Sequence, residues 1–121
     1  MDEDDPSEGA IPMGRFDWER IVRRVPMPGS TKFLALTLAT YANKDGTRIM
    51  PGEQRLARTM GADPRTVQRG FKWLREAEFV VLTKHGNRHK GLANEYQLTV
   101  PPDVLERVNL DPDEQELVSE K

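Results

Sequence analysis

The chain has 121 residues and no cysteine, which gives it length for one domain with a single modest core and excludes disulfides, thiolate metal sites and a cysteine nucleophile. Its net charge of -2 hides a split: residues 15 to 100 hold 16 Lys and Arg against 8 Asp and Glu, residues 1 to 14 carry five acids and no base, and residues 101 to 121 carry seven acids against two bases. A basic middle with acidic ends points to a polyanionic partner, and the lack of any apolar run near the roughly 20 residues of a membrane span, with an acidic start unlike a signal peptide, leads to the expectation of a cytoplasmic protein with no membrane partner.

Residues 1 to 14, "MDEDDPSEGAIPMG", contain Pro and Gly and lack large apolar side chains until Ile11, so a disordered acidic arm is expected. In residues 15 to 29, Trp18, Ile21, Val22 and Val25 fall at i, i+3, i+4 and i+7 behind Asp17 as N-cap, with Arg20, Arg23 and Arg24 on the other side. That pattern predicts a short amphipathic helix, ended by Pro26 and followed by a linker. "STKFLALTLATYANKDG" predicts the core helix. Ser30 caps it, Leu34, Leu38, Tyr41 and Ala42 form one apolar stripe, and Phe33 and Leu36 widen the stripe until little polar face remains. "NKDG" supplies a stop, and "TRIMP" is a candidate for one small strand.

Pro51 and Gly52 open the next helix, which turns Leu56, Ala57 and Met60 inwards and stops at Gly61. Asp63 is a good N-cap and Pro64 suits the first helical position, so a new helix begins there, with Val67, Phe71 and Leu74 facing inwards. Its outer side presents Arg65, Gln68, Arg69 and Lys72 at i, i+3, i+4 and i+7, with Thr66 near the N-terminal end. After Glu78 the period changes. "FVVLTK" and "EYQLTV", the latter with Tyr96, Leu98 and Val100 on one side, predict a β-hairpin around the polar tip "HGNRHKGLAN". Pro101 and Pro102 end the ordered unit; "DVLERVNL" is long enough for one amphipathic turn or two, and residues 101 to 121 read as an acidic tail.

Helix, helix, short turn, helix, then a hairpin with a basic tip is the order of a winged helix-turn-helix over residues 30 to 100, a mainly α fold with a small β-hairpin. Its physics suits duplex DNA: the second helix of the pair, residues 64 to 76, lies in the major groove, and the wing, residues 79 to 98, reaches phosphates or the minor groove. Arg pairs bidentately with guanine and Gln with adenine, so Arg65, Gln68 and Arg69 are base-reading candidates rather than point charges alone. The plain alternative for this stripe is a solvated helix face. Ordinary exposed helices mix charge signs, however, and here no acid follows until Glu76.

"YANKDGTRIMPGEQRLARTMGADPRTVQRGFKWLREAEFV" resembles the winged helix-turn-helix domains of plasmid and phage replication initiators and of small regulators of mobile elements. The shared pattern is a helix ending in "DG", a "P" and a helix with "LA", a "G…RTVQR…L" recognition helix and a hydrophobic strand, and the resemblance runs from Ser30 to about Val100. It implies that Thr66, Gln68 and Arg69 face DNA, in a transcription regulator or a replication or recombination accessory factor. Gly52 departs from the pattern, standing where a capping Ser is more usual.

At the tip, Lys84, Arg88, His89 and Lys90 are the candidate wing contacts; a solvated loop is the plain alternative. His85 and His89 have H-x-x-x-H spacing, but Gly86 and Asn87 favour a turn and no third ligand is near, so no metal is expected. Trp18, Phe71, Trp73 and Phe79 sit at core periodicities, which favours packing over base-stacking platforms. With two His on a polar loop, three Ser, no phosphate loop and no spaced carboxylates, neither catalysis, nor a cofactor, nor a small-molecule substrate is expected. The expected partner is double-stranded DNA, bound by a homodimer with the first helix or the segment after Pro102 as dimer surface. Two other readings stay open: a protein-interaction module that kept the fold without DNA activity, and a single-strand binder.

Overall fold

The computed structural model describes residues 9–107. Its elements are β1 (Ile11–Pro12), α1 (Arg15–Arg24), α2 (Gly29–Ala39), α3 (Glu53–Met60), α4 (Pro64–Glu76), β2 (Val80–Lys84), β3 (Glu95–Val100) and α5 (Val104–Arg107), with a 3-10 turn at Arg88–Lys90. The strands form one antiparallel sheet in the order β1-β3-β2, and with the helices they make a mainly helical winged helix-turn-helix.

The apolar spacings of the sequence become the core. Trp18 and Val22 of α1, Leu34 and Leu38 of α2, Leu56 of α3, Val67 and Leu74 of α4, Phe79, and Leu98 of β3 are fully buried together. α2 lies at the centre, touching α1, α3 and α4. It approaches α4 closely because Gly70 has no side chain: a Cβ there would lie 2.6 Å from Leu34 Cδ2. Trp18 binds the helices to the sheet, its indole N–H donating to the carbonyls of Phe79 and Thr99. Trp18, Phe71 and Phe79 are buried as the packing reading expects, and Trp73 is half-buried against Phe79.

Several helix boundaries differ from the local signals. α1 starts at Arg15 after Gly14, with Asp17 inside the first turn rather than at the cap, because the Arg15 N–H bonds the Lys44 carbonyl at 2.9 Å. α2 starts at Gly29 behind Pro28, which leaves Ser30 in the first turn without capping, and it ends at Ala39, so Tyr41 and Ala42 of the expected stripe lie in the turn beyond. Phe33 does not join the buried stripe; it is 51% exposed. "TRIMP" contributes one bridging residue, Ile49, which exchanges two backbone hydrogen bonds with Tyr96 at 3.1 and 2.9 Å.

The largest correction concerns the N-terminal arm. Residues 11 to 13, part of the arm expected to be disordered, lie along β3: Ile11 pairs with Val100, Pro12 with Thr99, and the Met13 N–H bonds the Leu98 carbonyl at 3.1 Å. Gly46 makes room for this segment. It has φ 81°, and a Cβ on it would stand 2.1 Å from the Met13 carbonyl oxygen. Order also continues past Pro101 and Pro102, since Val104 of α5 is buried in the core. The rest of the two acidic stretches, residues 1–8 and 108–121, lies outside the described residues.

Candidate nucleic-acid interface

The turn between α3 and α4 is built by local chemistry. Gly61 ends α3 in the left-handed conformation (φ 68°, ψ 34°), and the Ala62 N–H closes back on the Ala57 carbonyl at 2.9 Å. Two residues later Asp63 caps α4, its Oδ1 accepting the Arg65 N–H at 2.8 Å, with Pro64 in the first turn. These contacts fix where α4 begins and so fix its rotation. Val67, Phe71 and Leu74 turn inwards, and Arg65, Gln68, Arg69 and Lys72 are exposed on the other side, with Thr66 half-buried at the start.

The wing is set beside this face by ring packing. Phe71 of α4 stacks on Tyr96 of β3 with centroids 4.7 Å apart, and Trp73 stacks on Phe79 at 6.1 Å. A recess therefore runs between α4 and the wing, lined by Gln68 and Lys72 on one side, His85 and Asn94 on the other, and Glu53 at the start of α3. A second recess continues it from Gly52 and Gln54 to Gly86 and Leu92 of the wing.

The tip is an ordered loop. Asn87 Oδ1 accepts the N–H groups of His89 and Lys90 at 2.9 and 3.3 Å, and the backbones of Asn87 and Leu92 exchange two bonds of 2.9 Å. Asn94 Oδ1 accepts the Gly86 N–H at 2.7 Å. Lys84, His89 and Lys90 are exposed around this frame, and Arg88 opens the 3-10 turn.

Electrostatically the face is cationic up to Glu76, which lines the same recess as Lys72, with one exception from another helix. Among the described residues none of Arg65, Arg69 and Lys72 forms a salt bridge, whereas Arg15–Glu19 and Arg20–Asp17 pair within α1. The exception is Glu53, whose Oε2 accepts a hydrogen bond from Gln68 Nε2 at 2.9 Å. Reading the outer stripe along α4 missed it, because Glu53 belongs to another helix. The angle of a helix-turn-helix pair, which sets the first turn of one helix against the middle of the next, is the signal that would have found it.

Residues 27–80 match a family model described as "Helix-turn-helix domain". Domains of that family are non-catalytic DNA-binding modules, and the match supports a general DNA-binding, regulatory role. No curated protein and no solved structure matches the chain. Among the described residues no helix is long and apolar enough to cross a membrane. Residues 27–80 are thus similar to a helix-turn-helix domain, and with the β2–β3 hairpin the architecture of the chain is that of a winged helix-turn-helix.

Proposed function

We propose that the protein binds double-stranded DNA with sequence preference, α4 entering the major groove and the wing lying on the backbone or in the minor groove. The observation that carries this reading is the outer face of α4: three cations without carboxylate partners among the described residues and one Gln, set beside a wing whose Lys84 and Lys90 are also exposed. Arg65, Arg69 and Gln68 have the chemistry to read base edges, Lys72 and Thr66 to meet the flanking phosphates, and Lys84, Arg88, His89 and Lys90 to supply the wing contacts. The helix-turn-helix match supports the same assignment.

Binding as a homodimer on paired half-sites belongs to this proposal, with α1, which leaves Phe16 57% exposed, as the surface that pairs the copies. The biological setting that the resemblance favours is regulation, replication or recombination of a mobile element. Selecting bound sequences from a random duplex pool and locating the winner in the source genome tests that setting.

Arg69→Ala tests the mode of binding. If Arg69 reads a base, the variant loses roughly 1 to 3 kcal/mol of discrimination at one position while its affinity for random duplex falls less. Equal weakening of specific and random duplexes removes the base-reading assignment. A chain that shifts no duplex at any salt concentration is the interaction module instead, and a chain that prefers single strands in competition is a single-strand binder.

A further inference from the structure

The hydrogen bond between Gln68 and Glu53 joins the two helices of the pair at the centre of the proposed reading face. We infer that Glu53 is a positioning residue: it fixes which way round Gln68 presents its carboxamide and thereby makes Gln68 a reader of adenine. The inference rests on the DNA-binding reading above and deepens it.

The argument starts from what each group is able to donate. An ionised carboxylate only accepts, whereas a carboxamide has a donating end and an accepting end. The last torsion of a Gln side chain is broad and close to two-fold, so an isolated Gln on a helix surface presents either end outwards with little difference in energy. Here Glu53 Oε2 lies 2.9 Å from Gln68 Nε2. Flipping the carboxamide would set the Gln68 carbonyl oxygen against the carboxylate, acceptor to acceptor. The NH2 group is therefore held on the α3 side, where it uses one N–H, and Oε1 and the second N–H remain available. Adenine in the major groove needs that pair in that order, one acceptor for its N6 amino group and one donor for N7.

The placement has a cost that a merely structural residue would not explain. Glu53 puts a negative charge at the edge of a cationic face, where it repels phosphate, in a recess it shares with Lys72 and His85. Its position in the first turn of α3 offsets part of this, because an acid there is favourable to the helix dipole. The dipole requires a negative charge but not the reach of Glu, and the bond to Gln68 requires both. Glu53→Asp and Glu53→Gln separate these roles: Asp keeps the charge and loses the reach, while Gln keeps the reach but accepts either orientation of Gln68.

The experiment compares duplexes selected from a random pool by the full chain, by Gln68→Ala and by the two Glu53 variants. Gln68→Ala identifies the base pair that Gln68 reads, and the unchanged chain is expected to prefer adenine there. Both Glu53 variants should flatten that preference roughly tenfold while the rest of the selected site keeps its preferences. Glu53→Gln should also bind random duplex more tightly than the unchanged chain. In the free proteins, NMR should show the Gln68 side-chain amide protons moving in Glu53→Asp. Unchanged adenine preference in Glu53→Asp overturns the inference, as does an even loss of preference at every position, or an unmoved Gln68 amide. A parent chain that selects no duplex sequence overturns the DNA reading, and this inference with it.

Discussion

The indole nitrogen of Trp18 lies 3.1 Å from the Phe79 carbonyl oxygen and 2.8 Å from that of Thr99, so one N–H on α1 serves the start of the wing and its last strand together. α1 lies outside the residues that match the helix-turn-helix family, yet it supplies the side chain that closes the sheet onto the helices. The Phe79 carbonyl has a second donor, the Thr99 N–H at 3.0 Å, so the Thr99 carbonyl depends more on the indole. Trp18→Phe should therefore destabilise the fold by about 2 to 4 kcal/mol through an unmade buried hydrogen bond and the volume lost. Urea unfolding measures the loss, and faster amide exchange in β3 than in α4 would locate it.

Gly46 and Gly61 both have left-handed backbone, φ 81° and 68°, but differ in surroundings. A Cβ on Gly61 meets nothing within 4 Å, whereas one on Gly46 would collide with the Met13 carbonyl. Gly61→Ala should cost about 1 to 2 kcal/mol, the left-handed penalty alone. Gly46→Ala should cost more and release residues 11 to 13 from β3, seen as lost amide protection at Met13. Equal cost for the two substitutions would mean that the arm is not packed on this turn.

Gly70 and Leu34 make the α2–α4 contact a matter of volume. Gly70→Ala gains up to about 1 kcal/mol of helix propensity but inserts a methyl into filled space, which typically costs about 1 to 3 kcal/mol, so a net loss is expected. Leu34→Val shortens the opposing side chain. The double variant should be more stable than the sum of the single losses predicts, and additive losses in a denaturation cycle would show that the helices do not meet there.

Much of this was legible in the residues, for reasons of range. Asp63 and Pro64 act on groups within three positions, so the start of α4 could be read from the string, and with it the outward set of Arg65, Gln68, Arg69 and Lys72. β3 carries its own alternation, and β2 an apolar, β-branched run. What could not be read depends on distant partners: two residues, Ile11 and Pro12, have no strand pattern until Val100 and Thr99 stand beside them. Ser30 looks like a cap because Ser often is one, but the cap is Pro28, two residues earlier. Glu53 drew no reading from the string, since its bond crosses to another helix.

The wing lysines should act on affinity rather than sequence. Lys84→Ala and Lys90→Ala should each weaken binding evenly across duplexes and reduce the slope of log K against log salt by about 0.9. Titrations at several salt concentrations check this; a change in the selected sequence would instead make the wing a base reader.

Asp45 holds the turn before Ile49, its Oδ1 accepting the Thr47 hydroxyl at 2.5 Å and the Thr47 N–H at 3.1 Å. The hydroxyl bond first, then the backbone bond, hold its carboxyl below the usual 3.8. A depressed carboxylate contributes stability that is fully present above the unfolded value and lost as pH falls through the folded one, so the contribution is present at neutral pH and changes with pH only below about 4. Thr47→Val should raise the Asp45 pKa towards 3.8 in an NMR titration and remove, at neutral pH, the part of the stability that the hydroxyl bond contributes, with little difference between the variant and the unchanged chain at pH below the folded value.

The hydrogen bonds that Asn87 makes across the wing tip bear on the entropy of any encounter there. Fixing a backbone residue costs roughly 1 to 2 kcal/mol, and for this loop that loss is incurred when the domain folds. A partner that reaches the tip meets a surface of set shape, and the free energy of contact is not consumed in ordering it. Asn87→Ala would move that loss from folding to binding, leaving every cation in place while making each contact weaker.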